Sequence, residues 1–165
     1  VFQGTDRQIN PTISSMTFSP PPAGRKYAYF TLTYQPAQGT LTSADVPSGA
    51  ITVNSAHANV NAGLVSSTGG NGAPLTARYV FLLDRHGFTR LDNGLYSFVV
   101  NGDAVIDSLG YGSSGFVQSY TLYLPRHNRG APIATPILPM VVEAVVFDSQ
   151  SLFAESGEED ISILK

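Results

Sequence analysis

His57, His86 and His127 are the side chains best suited to proton transfer near neutral pH, and each stands in a different loop-like stretch. Serines are plentiful, so a Ser/His/Asp triad can be written on paper, but no Gly-X-Ser-X-Gly elbow supports one. Gly110-Tyr-Gly-Ser-Ser-Gly115 comes nearest in spacing, and it reads as a Gly/Ser loop with no helix after it. No catalytic residue is assigned, and the chain is not expected to be an enzyme. Asp84-Arg85-His86 is the densest cluster of ionisable groups. At a strand end it could present a carboxylate, a guanidinium and an imidazole together to a ligand. It also suits a turn in which Asp84 caps backbone amides while the other two side chains sit in solvent, which is the commoner use of such residues.

Arg126-His127-Asn128-Arg129 is a second polar cluster, able to grip a carboxylate through Arg126 and Arg129 or simply to be a solvated loop. Among eight tyrosines, with no tryptophan, Tyr111 lies between two glycines and is the best exposed candidate for stacking on a sugar face. Tyr27, Tyr29 and Tyr120 read as wall or core residues. Asp103 and Asp107 would lie about 13 Å apart along one strand, too far for one metal ion or for a glycosidase pair. Glu155, Glu158, Glu159 and Asp160 could offer calcium oxygen ligands, but they lack EF-hand spacing and read as a solvated acidic tail. No metal site and no cofactor are assigned.

The element placed at the centre of these groups is Gly94–Ser108. Two runs rich in β-branched and aromatic residues flank Asn101-Gly102, which suits a two-residue type I′ turn. That register sets Val100 opposite Asp103, Phe98 opposite Val105 and Tyr96 opposite Asp107. Both faces would be largely apolar, as in a central hairpin of a two-sheet fold. Alternation predicts further strands at Thr12–Phe18, Arg25–Gln35, Ala50–Asn54, Leu75–Leu83 and Phe116–Leu124, with short ones near Thr40–Thr42 and Phe88–Leu91. In Arg25–Gln35, Ala28, Phe30, Leu32 and Tyr34 oppose Tyr27, Tyr29, Thr31 and Thr33. Ser55–Pro74 reads as a long surface loop, Pro125–Pro139 as an extended crossing segment, Met140–Phe147 as a buried strand, Asp148–Glu159 as one short helical turn, and Asp160–Leu164 as a last small strand or a docked tail. The domain boundaries expected are a linker or arm over 1–11, the sandwich over 12–148 and an acidic tail over 149–165. The fold class is all-β, an antiparallel β-sandwich or jelly-roll-like fold of about 8–10 short strands.

Composition narrows the function classes. The 165 residues are 42% hydrophobic and only 13% charged, so Ser, Thr, Asn, Gln and Gly must build the polar surface. The nine basic residues are scattered, seven of them Arg, against a net charge of −3; no stripe for nucleic acid results. Cysteine is absent, which removes disulfides, thiol catalysis and cysteine metal sites together. No apolar run reaches the roughly 18 residues of a membrane-spanning helix. The opening Val-Phe-Gln-Gly carries no initiator Met or signal peptide and reads as an excised fragment.

A cysteine-free, charge-poor β chain with Gly/Ser loops at Ser66–Gly72 and Gly110–Gly115 and a Pro-rich Pro125–Pro139 resembles a viral surface domain. It resembles the C-terminal projection (protruding) domain of capsid proteins from small non-enveloped RNA viruses of the nodavirus-like and tombusvirus-like kind. The resemblance covers the organisation of the whole chain. It implies a virion-surface module with outer loops on a host receptor or glycan and sides that associate into dimers or trimers. Ser66–Asn71 and Gly110–Gly115 would then lie at the exposed end. A phage fibre tip, a carbohydrate-binding module or an adhesin domain suits the same composition.

Overall fold

The computed structural model describes residues 9–46, 48–83, 86–126 and 130–138. Nine strands are described: β1 (Thr12–Ser19), β2 (Tyr27–Gln35), β3 (Ile51–Ser55), β4 (Asn59–Asn61), β5 (Gly63–Gly69), β6 (Leu75–Leu82), β7 (Gly94–Val100), β8 (Phe116–Tyr123) and β9 (Ile133–Ile137). They form two antiparallel sheets, of order β1-β2-β6-β5 and β4-β3-β7-β8-β9. The expected all-β sandwich is what forms.

Period-two alternation decides which face of each strand is buried. Along β2 the buried set is Ala28, Phe30, Leu32 and Tyr34, while Tyr29 is half-buried and Tyr27, read from the sequence as a wall or core residue, is exposed. Leu75, Ala77, Tyr79 and Phe81 complete that layer from β6, and Ile51, Val53, Tyr96, Phe98, Val100, Tyr120 and Leu122 form the facing one. Phe98 is the meeting point, its ring centroid 5.1 Å from Phe18 and 4.9 Å from Phe30 across the sandwich. In β1 a bulge between Ile13 and Ser15 shifts the register, so Ile13 joins Met16 and Phe18 against the core. One residue, Ala62, carries the chain from β4 in one sheet to β5 in the other, pinned by Ala62 N–H to Ile51 C=O at 2.9 Å.

The Asn101-Gly102 hairpin does not form. β7 pairs with β8, Val100 opposite Phe116 and Phe98 opposite Gln118, and residues 101–115 make an excursion between them. Asp103 takes the left-handed φ of 60°, and Asn101 and Gly102 do not. The physical reason lies in what each partner can bury. The arm after Gly102 supplies only Val105 as a fully buried apolar residue, whereas β8 supplies Tyr120 and Leu122 over eight residues. The excursion is a small ladder of its own: Asp103 N–H to Ser113 C=O and Ser113 N–H to Val105 C=O, each 2.7 Å, then Asp107 N–H to Tyr111 C=O at 3.0 Å.

Three further expectations are corrected. Ser55–Pro74 is not one long loop, because it contains β4 and β5, edge strands whose polar, Gly-containing sequences need only one covered side. Phe88–Leu91 is not a strand: Phe88 is buried, and Arg90–Asp92 is a 3-10 turn whose start Thr89 and Asp92 cap reciprocally. Thr40–Thr42 also lies outside the sheets, leading into a 3-10 turn at Ser43–Asp45. Within the Pro-rich segment Ile133–Ile137 is an edge strand, where Pro136 is tolerated. Residues 1–8, the Met140–Phe147 strand, the helical turn and the acidic tail all fall outside the described residues.

Candidate functional site

The sandwich has two ends, set by strand direction. At one end lie the β1–β2 loop, the β6–β7 segment and the turn after β8. At the other, Pro11 enters, with Ser114 N–H on its carbonyl at 3.1 Å, and the β2–β3, β5–β6 and β7–β8 connections cluster. The candidate residues divide between these ends. His86 and Arg126, both exposed, belong to the first; Tyr111 is at the second. Asp84, Arg85, His127 and Arg129 are outside the described residues, so the Asp84-Arg85-His86 and Arg126–Arg129 clusters are described only through His86 and Arg126. His57 is exposed in the β3–β4 turn, its N–H on Ser55 Oγ at 3.3 Å.

Tyr111 sits beside the tip of the β7–β8 excursion, 36% exposed. Its N–H and that of Leu109 both donate to Asp107 Oδ1, each at 2.9 Å. Asp107 itself is 5% exposed, and its other oxygen, Oδ2, is buried with no hydrogen-bond partner, directly against Gly39. Ser108 and Thr40 lock the two loops with a backbone bond of 3.0 Å and a Thr40 N–H to Ser108 Oγ bond of 2.9 Å. Asn71 N–H on Leu41 C=O at 2.8 Å ties in the β5–β6 turn. Ser66–Gly69 lies within β5 and is not a loop, while the turn that follows it and the Gly110–Gly115 stretch share the end at which Pro11 enters. Ser113, at the place a nucleophile elbow would need, is buried with its Oγ accepting Val105 N–H, a structural use of the hydroxyl. No group of three or more metal-ligating side chains occurs among the described residues.

The site that sequence reasoning missed is at the first end. A cleft of about 520 Å³ is lined by Pro20, Pro22, Arg25, Lys26, Tyr27 and Tyr29, among others. Its lip is rigid for identifiable reasons. The prolines have fixed φ, and Arg25 N–H closes a turn on Pro22 C=O at 3.1 Å, with Gly24 in the left-handed region at φ 82°. Gly24 N–H and Arg25 C=O each bond to the backbone of Phe88 at 2.7 Å. Phe88 is in the core, edge-on to Phe81 at 6.0 Å, so the lip is anchored to the sandwich interior. Because Ala28 and Phe30 point inward, Tyr27 and Tyr29 must point outward; Tyr27 is 54% exposed. The guanidinium of Arg78 lies over the Tyr29 ring, 4.4 Å from its centroid. Among the described residues no carboxylate lines the cleft. The alternation of β2 beside Arg25-Lys26 and Pro20-Pro21-Pro22 was the signal that could have found it.

A second exposed feature is the outer face of the five-stranded sheet. Leu95, Ser97 and Val99 of β7, Val117, Ser119, Thr121 and Tyr123 of β8, and Ile133, Thr135 and Ile137 of β9 share it by register. Thr52 and Asn54 of β3 and Asn59 and Asn61 of β4 extend it. Not one of these side chains is charged, and Val117, Tyr123 and Ile133 are each more than half exposed.

Compared with protein-family models, with curated proteins and with solved structures, the chain matches none of them.

Proposed function

We propose that this domain is a non-catalytic attachment module of a surface assembly, of the kind met as the projection domain of a small non-enveloped RNA virus capsid. Its work is to associate with copies of itself and to present the free end of the sandwich to a host receptor. The observation that carries this reading is the uncharged outer face of β3, β4, β7, β8 and β9. A solvated surface normally interleaves charges of both signs over about a quarter to a third of its positions. A sheet face without any is complementary to itself, since no charge has to be desolvated and none repels its copy. Its proposed occupant is therefore a second copy, face to face about a two-fold axis. Strand direction supports a projecting placement: the sandwich is entered at Pro11, and β9 runs back toward that same end. The receptor-facing end would then be the opposite one, with the proline–tyrosine cleft, His86 and Arg126, and not, as the sequence suggests, the end that carries Asn71 and Gly110–Gly115.

Sedimentation equilibrium over micromolar to millimolar concentration tests the reading. A self-association that Val117→Lys abolishes, with the circular dichroism spectrum unchanged, is expected. A strict monomer at every concentration, or a dimer indifferent to Val117→Lys, would overturn it.

A further inference from the structure

We propose that the cleft between Pro20–Lys26 and the start of β2 binds a carboxylated sugar residue, with Arg25 and Lys26 on the carboxylate and Tyr27 against the ring. This deepens the attachment half of the function proposed above and does not depend on self-association.

Four observations converge. The cleft's volume, about 520 Å³, lies in the range that holds a small ligand, and one or two sugar rings fill it. Its lining includes an exposed phenol ring, Tyr27, and a second, Tyr29, over which the Arg78 guanidinium lies. A sugar presents an apolar C–H face that packs on such rings, while its hydroxyls remain available to water. Arg25 and Lys26 are among the lining residues and Arg78 lies over the Tyr29 ring, and no carboxylate is in the lining among the described residues. In a chain of net charge −3 with only nine basic residues, such a grouping is a local reversal of sign. A guanidinium matches a carboxylate in a fork geometry that a neutral sugar cannot use.

The lip is also built before any ligand arrives. Proline φ values, the Pro22–Arg25 turn and the two Phe88 backbone bonds hold the backbone around Arg25 in place, so the ordering left to oppose binding is that of the side chains alone. Sialic and uronic acids share the chemistry required, a pyranose ring bearing a carboxylate.

The test titrates the isotope-labelled full chain with methyl α-sialoside and, separately, methyl β-glucuronide. Methyl β-galactoside is the neutral arm and acetate the bare carboxylate. Saturable shifts of the backbone amides over Gly24–Tyr29 are expected with one or both acidic glycosides, and whichever binds tighter identifies the source. Arg25→Ala and Lys26→Ala should each weaken binding by about fivefold to tenfold. Tyr27→Ala should weaken it by about tenfold while Tyr27→Phe retains it; all these side chains are exposed, so the fold survives. Equal binding of the galactoside, an acetate affinity matching the glycosides', shifts centred away from Gly24–Tyr29, or no saturation by about 20 mM would each overturn the proposal. Sedimentation of the same samples separates the two readings. A monomer that binds the acidic glycoside sinks the self-association reading and leaves this one standing, and a dimer that binds none does the reverse.

Discussion

Replacing Gly39 by Ala tests how the β7–β8 excursion is held. The φ of Gly39 lies outside the left-handed region, so alanine suffers no backbone strain there. The cost is steric, because a Cβ would overlap the Asp107 carboxylate, with Oδ1 only 2.8 Å away. To make room, Asp107 must swing out and surrender the bonds from Leu109 N–H and Tyr111 N–H. Loss of two charge-assisted bonds, softened by water reaching the freed amides, puts Gly39→Ala at about 2–3 kcal/mol. Asp107→Ala loses the same bonds but also removes the orphaned Oδ2, so about 1–2 kcal/mol is expected. With the carboxylate gone the added methyl has space, and the double variant should cost little more than Asp107→Ala alone. The coupling energy is then about 2 kcal/mol. Urea unfolding followed by tyrosine fluorescence, which no tryptophan obscures, supplies all four stabilities. Additivity within about 0.5 kcal/mol would show that Gly39 and Asp107 do not share this contact, and the docking argument would fall.

Other expectations follow from the core and the surface. The Tyr34 and Tyr79 hydroxyls share a bond of 3.0 Å inside the sandwich, so either single Tyr→Phe change strands its partner and should cost about 1–2 kcal/mol, whereas the double change should cost no more than one of them. Non-coupling in that cycle would refute the pair. Burial is the leading cause that pushes the phenols of Tyr34, Tyr79, Tyr96 and Tyr120 above the ordinary 10.0. The unfolded chain therefore ionises first. Stability is full below pH 10 and falls as pH rises beyond it, by up to about 1.4 kcal/mol per pH unit for each such tyrosine. Urea midpoints taken from pH 8 to 11 check this, and a flat profile would contradict the burial. Val117→Lys should leave the unfolding free energy of the monomer within about 0.5 kcal/mol of the parent while abolishing self-association, since the side chain is 63% exposed on one chain.

What could be seen in the sequence was whatever local alternation controls. β2, β6 and β8 have clean period-two patterns ending at Gly, Pro or Asp, and their extents were predicted within two residues. Tyr96, Phe98 and Val100 were correctly set on one face, and Val105 is indeed buried, but from a loop and not from the opposing strand. That failure is one of non-local competition: a turn dipeptide decides a hairpin only when the arm after it can bury as much as any other strand. β4 and β5 were invisible for the complementary reason, because Asn59-Val60-Asn61 and a Ser/Gly-rich run carry little apolar signal of their own. Of the site residues, Tyr111 was rightly placed in an exposed loop, yet its main-chain bonds serve to shape Asp107's turn. The cleft escaped notice because its parts come from a loop read only as a sheet breaker and from strand positions read only as a wall.

The sandwich is entered at Pro11 and β9 runs back to the same end, with β1 and β9 each the outermost strand of its own sheet among the described residues. This fixes how the domain answers a pull applied between those two points. Tension does not load the ladders along their length, where many backbone bonds would resist together. It peels β1 from β2 and β9 from β8, one rung after another, beginning at the shared end. The domain would thus yield at low force through its borders while the β2–β6 and β3–β7 pairs, and the ring cluster around Phe98, stay intact. Loss from the borders inward would leave the paired centre as the last part to give way.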